Sequence, residues 1–274
     1  MWAYESVFYQ IYPIGFCGAP FENDGVLTHR IKKVEEWIPH MKRLGINAIY
    51  FSPVFESDTH GYNTRDYKKI DVRLGTNEDF KEVCDKLHEN GIRVVLDGVF
   101  NHVGRGFYQF QDVIKNRENS PYLNWFHINL SGNSGYNDGL WYEGWEGNYD
   151  LVKLNLRNED VIQHIFSCIK GWVEEFDIDG LRLDVAYCLD HDFLRRLRSF
   201  CDGLKPDFSG LMRNYRIYEI VDNTLCEYDL DKLHLDNEDN LLGKFIERFA
   251  DAEDEISKHA LKYGVEAILA TGDK

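Results

Sequence analysis

The sequence predicts an α/β fold in which parallel strands alternate with covering helices. Three observations carry that prediction. Strand-like and helix-like segments alternate up to about residue 205. The helical segments have recognisable start and stop signals. One long stretch, rich in glycine, asparagine and aromatics, breaks the rhythm after the third strand.

The segments follow in chain order. "SVFYQIYP" (6–13) is aromatic and β-branched, and it stops at Pro13, so it reads as a strand. "IKKVEEWIPHMKRLG" (31–45) spaces Val34, Trp37, Ile38, Met41 and Leu44 as a helix does and ends at Gly45. "INAIYFSPV" (46–54) is a strand. "TNEDFKEVCDKLHENG" (76–91) is a helix in which Thr76 and Asp79 look like an N-cap and an acidic first turn. "IRVVLDGVF" (92–100) reads as a buried strand, residues 158–176 as a helix, 178–186 as a strand and 190–204 as a helix. The insert, about 103–157, is too long for a structureless loop inside a compact domain and is expected to be a small subdomain.

Past Pro206 the texture changes. "YRIYEIV" and "LCEYDL" flank a turn at Asp222–Thr224, residues 240–264 have the spacing of an amphipathic helix, and "VEAILATG" reads as a closing strand. That order does not repeat the strand–helix unit.

Composition narrows the function. The chain has 274 residues, 43% of them hydrophobic, enough for a sizeable core. A formal charge of -16 argues against a nucleic-acid partner, because phosphate would be repelled. The aromatic content of 14% suits a ligand with flat apolar faces, such as a sugar, as well as it suits a core. Six scattered cysteines form no CxxC pair and no zinc spacing, so buried free thiols in a reducing cytoplasm are expected. The N-terminus lacks the pattern of a signal peptide, and no stretch approaches the roughly 20 apolar residues of a membrane span.

The chemistry-bearing residues gather at strand ends. In "GLRLDVA", alternation puts Arg182 and Asp184 on one face and Leu181, Leu183 and Val185 on the other. An arginine beside an aspartate keeps the carboxylate ionised, as a nucleophile requires; a buried ion pair that fixes strand register would give the same pattern. "DGVFNH" (97–102) brings Asn101 and His102 to the corresponding rim. "HGYNTRDY" (60–67) brings His60 and Tyr62 there on a loop. An imidazole, a guanidinium, a carboxylate and an aromatic ring at one mouth suit the binding and cleavage of a sugar.

Four segments together resemble the alpha-amylase family of glycoside hydrolases: "HGYNTRDY", "DGVFNH", "GLRLDVA", and "LVKLN" (151–155), which looks like the mark of its neopullulanase and cyclomaltodextrinase branch. The resemblance runs from about residue 5 to about 206. It implies an α/β fold, a (β/α)8 TIM barrel with a subdomain inserted after the third strand, and retaining cleavage or transfer of α-glucosidic bonds. By position Asp184 resembles the nucleophile and Arg182 the arginine that orients it. His102 and Tyr62 resemble the residues that hold the sugar at the cleavage point, and Asp97 an invariant structural aspartate. Asn101 matches a position that binds calcium in some members, but its partner ligands are not evident, so no metal or other cofactor is expected.

The family's general-acid and third-carboxylate segments do not appear in recognisable form. Glu219, in "NYRIYEIVDN" (214–223), stands at a tolerable distance from Asp184 but lacks a preceding glycine and sits within a strand pattern; Asp239 comes too soon to be the third carboxylate. Eight units typically occupy about 250 residues. This chain spends residues 1–205 on about four units plus the insert. The expected organisation is therefore a partial barrel, 1–102 and 158–205, with a subdomain at 103–157 and an α+β tail of unrelated character at 206–274. An α-glucan or maltooligosaccharide is the expected ligand, in the cytoplasm. A second copy of the chain is the expected cover for an open barrel side. An inactive barrel fragment with residual sugar binding or a scaffold role is the alternative.

Overall fold

The structure, a computed structural model, describes residues 2–205 and 208. The expectations for the tail, Glu219 and Asp239 among them, lie outside those residues.

The chain begins with strand β1 (Phe8–Ile11) and a single turn of helix, α1 (Pro13–Phe16). After a loop come α2 (Lys33–Arg43), β2 (Ala48–Phe51) and a hairpin of β3 (Phe55–Ser57) and β4 (Thr64–Ile70). Helix α3 (Asn77–Glu89) leads into β5 (Arg93–Gly98). The insert follows, with β6 (His102–Gly104), α4 (Tyr108–Asn116), β7 (Ile128–Asn129), β8 (Trp141–Tyr142), β9 (Gly144–Trp145) and β10 (Asn148–Lys153). The chain then returns through α5 (Glu159–Phe176), β11 (Gly180–Leu183) and α6 (His191–Leu204).

Strands β1, β2, β5 and β11 form one parallel sheet in that order. Its outer face carries Ile11, Ile49, Phe51, Val94, Leu96, Leu181 and Leu183, all buried in the main core with the helices. Trp172 of α5 anchors that core: it stacks on Phe55 at 4.4 Å, and its Nε1 donates to the Tyr67 carbonyl at 2.6 Å. The inner face is different. At its lower end Phe8, Tyr50 and Val95 pack with Trp2 and Ala3. Toward the C-terminal ends of the strands it becomes polar, through Gln10, Ser52, Asp97 and Arg182.

Helices α3, α5 and α6 start where the sequence marks them, whereas α2, expected from residue 31, starts at Lys33. Thr76 and Asp79 form a reciprocal capping box at α3, a device that stabilises a helix by about 1 kcal/mol. Asn158 caps α5 and Asp190 caps α6 through side-chain oxygens that accept from two backbone N–H groups each. Strand ends fit less well. The strand expected over 178–186 stops at Leu183, and Val185 takes the left-handed conformation (φ 41°, ψ 47°). Val185 therefore does not continue the alternation of the leucines.

The insert has its own antiparallel sheet, β6-β10-β9, in which His102 lies opposite Lys153. His102 thus opens the insert's first strand, four residues beyond the end of β5, instead of closing a barrel strand.

Candidate active site

Arg182 stands in register with Asp97 on the neighbouring strand. Its Nη1 donates to Asp184 Oδ1 at 2.8 Å and reaches both Asp97 oxygens at 3.3 Å. Tyr50, on the next strand over, donates its hydroxyl to Asp97 Oδ2 at 2.7 Å, and its ring lies 5.8 Å from the guanidinium. Two carboxylates therefore share one cation. Burial pushes the Asp97 carboxyl up to about 7, with the Arg182 charge opposing and the Asp184 charge reinforcing the rise. When Asp97 takes up a proton, the guanidinium is left to Asp184. The Asp97 side chain has 0% exposure; that of Asp184 has 11%. The former is a buried support and the latter reaches the surface of the site.

Local backbone geometry puts Asp184 there. Its N–H donates to the Gly98 carbonyl at 3.2 Å, one last rung past the strand. Val185 then turns the chain away. A β-branched residue in the left-handed region costs on the order of 1–2 kcal/mol, which the surrounding packing must offset.

His102 approaches from the insert. As oriented, the Asn101 side-chain amide donates to His102 Nδ1 at 3.1 Å, which puts the imidazole proton on Nε2. Nε2 is buried, has no hydrogen-bond partner, and lies 3.9 Å from Asp184 Oδ2. Burial lowers the His102 pKa to about 4, so the ring is neutral near pH 7. Tyr62 comes from the β3–β4 loop. Burial, helped by Asp97 and Asp184 and opposed by Arg182, pushes its phenol up to about 12. The loop is held by paired hydrogen bonds between Thr59 and Asn63 and by Gly61 at φ 96°, where an added Cβ would meet Pro53.

The four residues singled out in the sequence, Tyr62, His102, Arg182 and Asp184, thus converge around one set of charges. Tyr50 and Ser52 were missed. The signal was present: Tyr50 on β2 and Ser52 just past its end alternate as Arg182 and Asp184 do, and Ser52 accepts from Gln10 at 3.1 Å. Of the insert aromatics, Trp125 and Tyr142 are buried core, and Trp141 is 39% exposed. Trp145 reaches the site, with its ring 5.7 Å from that of His102. Four of the described cysteines (Cys17, Cys84, Cys168, Cys201) are buried free thiols; Cys188 departs from that expectation and is half-buried. It lines a cleft of about 540 Å³ beside the site, with Asn101, Lys153 and Asp190.

Asn101 Oδ1 is buried and unpartnered. Among the described residues, however, no three His, Cys, Asp or Glu side chains gather to hold a metal. Calcium takes 6–8 oxygen ligands. Asn101 Oδ1 would supply one of them.

Parallel strands with covering helices, and a carboxylate cluster at the strand ends, define a partial TIM barrel. The chain belongs to the alpha-amylase family: the profile of the alpha amylase catalytic domain matches residues 10–215. It is 38% identical over 222 residues to a cyclomaltodextrinase of a Bacillus species, an alignment covering 75% of this chain and 40% of that one. It is 32% identical over 290 residues to an intracellular maltogenic amylase of Bacillus subtilis, covering 100% of this chain, 206–274 included, and 47% of the relative. The cyclic alpha-maltosyl-(1-->6)-maltose hydrolase of Arthrobacter globiformis, in complex with maltose, superposes with a TM-score of 0.67 at 34% identity, covering 76% of this chain and 50% of that one. The chain therefore spans about half or less of the length of these relatives.

Proposed function

We propose that the chain cleaves or transfers α-glucosidic bonds of maltooligosaccharides or cyclomaltodextrins with retention, with Asp184 as nucleophile. The observation that carries this reading is the pairing of Asp184 with Arg182 beside a buried, unpartnered His102 Nε2–H. A buried donor without a partner is costly. A sugar hydroxyl bound between His102 and Asp184 would satisfy it and would set the anomeric carbon against the carboxylate. Arg182 orients Asp184, and Tyr62 packs on the sugar ring. The relatives' names, cyclomaltodextrinase and maltogenic amylase among them, support the substrate class.

Retention requires a second carboxyl about 5–5.5 Å from the nucleophile, kept protonated to release the leaving oxygen. Asp97 does not qualify: its side chain has no exposure and is bound by Tyr50 and Arg182. The proposed acid lies outside the described residues; the sequence does not single it out there, since Glu219 lacks the preceding glycine and the strand-end position that the resemblance requires. A second reading, sugar binding without turnover, holds if no such carboxyl reaches Asp184. We further propose a cytoplasmic location, supported by the intracellular relative and the free thiols, and self-association of the chain, read from its four-stranded sheet. Among the described residues, no helix is long and apolar enough to cross a membrane.

One assay tests the main reading. Wild-type protein and Asp184→Asn are incubated with maltoheptaose and with cyclomaltodextrins, and the anomeric form of the product is followed by NMR. The expected result is α-anomeric product from wild type and a loss of more than about a thousandfold in the variant. Equal turnover by both proteins, or β-anomeric product, would remove Asp184 from the proposed role.

A further inference from the structure

The loop between α1 and α2 is fastened by buried groups that the proposed chemistry does not use. Arg73 is 0% exposed. Asp71 binds it through both oxygens, at 2.8 and 2.6 Å, and its Nη2 also donates to Ser57 Oγ at 2.8 Å. Its remaining nitrogen, Nη1, donates to the carbonyls of Pro20 and Phe21, at 2.9 and 2.5 Å. Asn23 adds a second fastening: its backbone N–H donates to the Asp58 carbonyl at 3.1 Å, and its amide donates to Glu56 Oε1 and the Ser57 carbonyl.

What this loop displays is an apolar ring. Phe21 is 59% exposed. Its ring centroid lies 6.4 Å from that of His60, and the His60 ring lies 6.0 Å from that of Tyr62, the ring assigned to the sugar at the cleavage point. Tyr12 closes the same corner by donating its hydroxyl to the His60 carbonyl at 3.0 Å. His60 is held below its ordinary pKa by burial, against the raising effects of Asp150 and Asp58, so it adds a neutral flat ring to the row. A large apolar side chain held rigidly in water contributes nothing to the core. Its continuity with Tyr62 suggests what covers it.

We propose that Phe21, with His60, is a specificity-determining platform for a glucosyl unit beyond the one held at Tyr62, so that the site favours longer α-glucans over maltose. The proposal rests on the reading of Tyr62 as a sugar-binding residue. The occupant is a glucosyl ring because pyranoses offer a flat C–H face to an aromatic ring, and because the row of rings continues from the catalytic cluster. A neutral sugar also suits the acidic groups around it, Asp58 and Asp150.

The test uses Asp184→Asn protein, which binds without turnover, titrated by calorimetry with maltose and with maltotetraose. Adding Phe21→Ala is expected to lower the maltotetraose-to-maltose affinity ratio about tenfold, the equivalent of losing one buried aromatic contact. Phe21→Trp is expected to restore the ratio. An unchanged ratio in Phe21→Ala overturns the proposal. So does a change in its oligomeric state by light scattering, which would make the ring a protein contact. Catalysis is read separately, as product formed by wild type. A ratio that depends on Phe21 without any product would leave the platform standing and remove the hydrolase reading.

Discussion

At the scale of single residues, the cluster around Arg182 holds two groups whose titrations oppose each other. Asp97 is pushed up to about 7 in the folded protein from an ordinary 3.8. Between those values the folded state holds the extra proton, so stability falls as pH rises. His102 is lowered to about 4 from 6.5. Between those values the unfolded state holds the extra proton, so stability rises with pH. From about pH 4 to 6.5 the two slopes offset each other. We predict that Asp97→Asn unmasks the histidine, giving a Tm that climbs with pH over this window more steeply than in wild type. His102→Gln should do the reverse, with a Tm that falls over the same window. Calorimetric melts at several pH values check both, and parallel curves for all three proteins would contradict the assignment. The pairing of Arg182 with Asp184 was legible in the sequence, because strand alternation and charge both favour it. The asymmetry between Asp184 and Asp97 was not, because it depends on which carboxylate lies beneath the guanidinium.

At the scale of elements, the starts of α3, α5 and α6 were legible to within a residue, whereas α2, read from residue 31, starts at Lys33 without a side-chain cap. Caps are local chemistry, written in Thr76, Asn158 and Asp190. Strand ends were not, because nothing in the side chain of Val185 announces a left-handed backbone. The docking of the insert was also invisible in the sequence. Gly104, in β6, packs directly on the backbone of Asn63, in the loop that carries Tyr62, and on Asp58. An added methyl has no room there. Gly104→Ala is predicted to cost about 1–3 kcal/mol, with a Tm lower by several degrees. It should also speed tryptic cleavage between 103 and 157, because the insert is pushed off the hairpin. Cleavage at the wild-type rate would show that the contact yields without loss.

At the scale of the molecule, one sheet separates two kinds of interior. The helix-covered face is continuous apolar core, and the opposite face grades from Trp2, Phe8 and Val95 to the charged cluster. The sequence revealed this layering because strands buried on their outer face alternate Leu181 and Leu183 with Arg182. The net charge of -16 acts on a different scale, since a neutral oligosaccharide gains nothing from long-range attraction. We predict that kcat/KM on maltoheptaose is unchanged between about 0.05 and 0.5 M salt, where screening lengths shrink severalfold. A strong salt dependence would point to a charged ligand. The part of the catalytic apparatus that remained illegible is the second carboxyl, because a general acid is defined by its distance to the nucleophile and by burial, and strand texture around Glu219 reports neither.

The anchor beneath the Phe21 loop has one more consequence. Arg73 grips the main-chain carbonyls of Pro20 and Phe21, which every amino acid supplies, and leaves the Phe21 side chain uncommitted. Fastening and display are thereby uncoupled. Position 21 can be rewritten without touching what holds the loop, whereas Asn23 cannot, because its amide binds Glu56 and the Ser57 carbonyl; position 21 is therefore the natural place for drift in what this corner recognises and a practical place to graft new recognition.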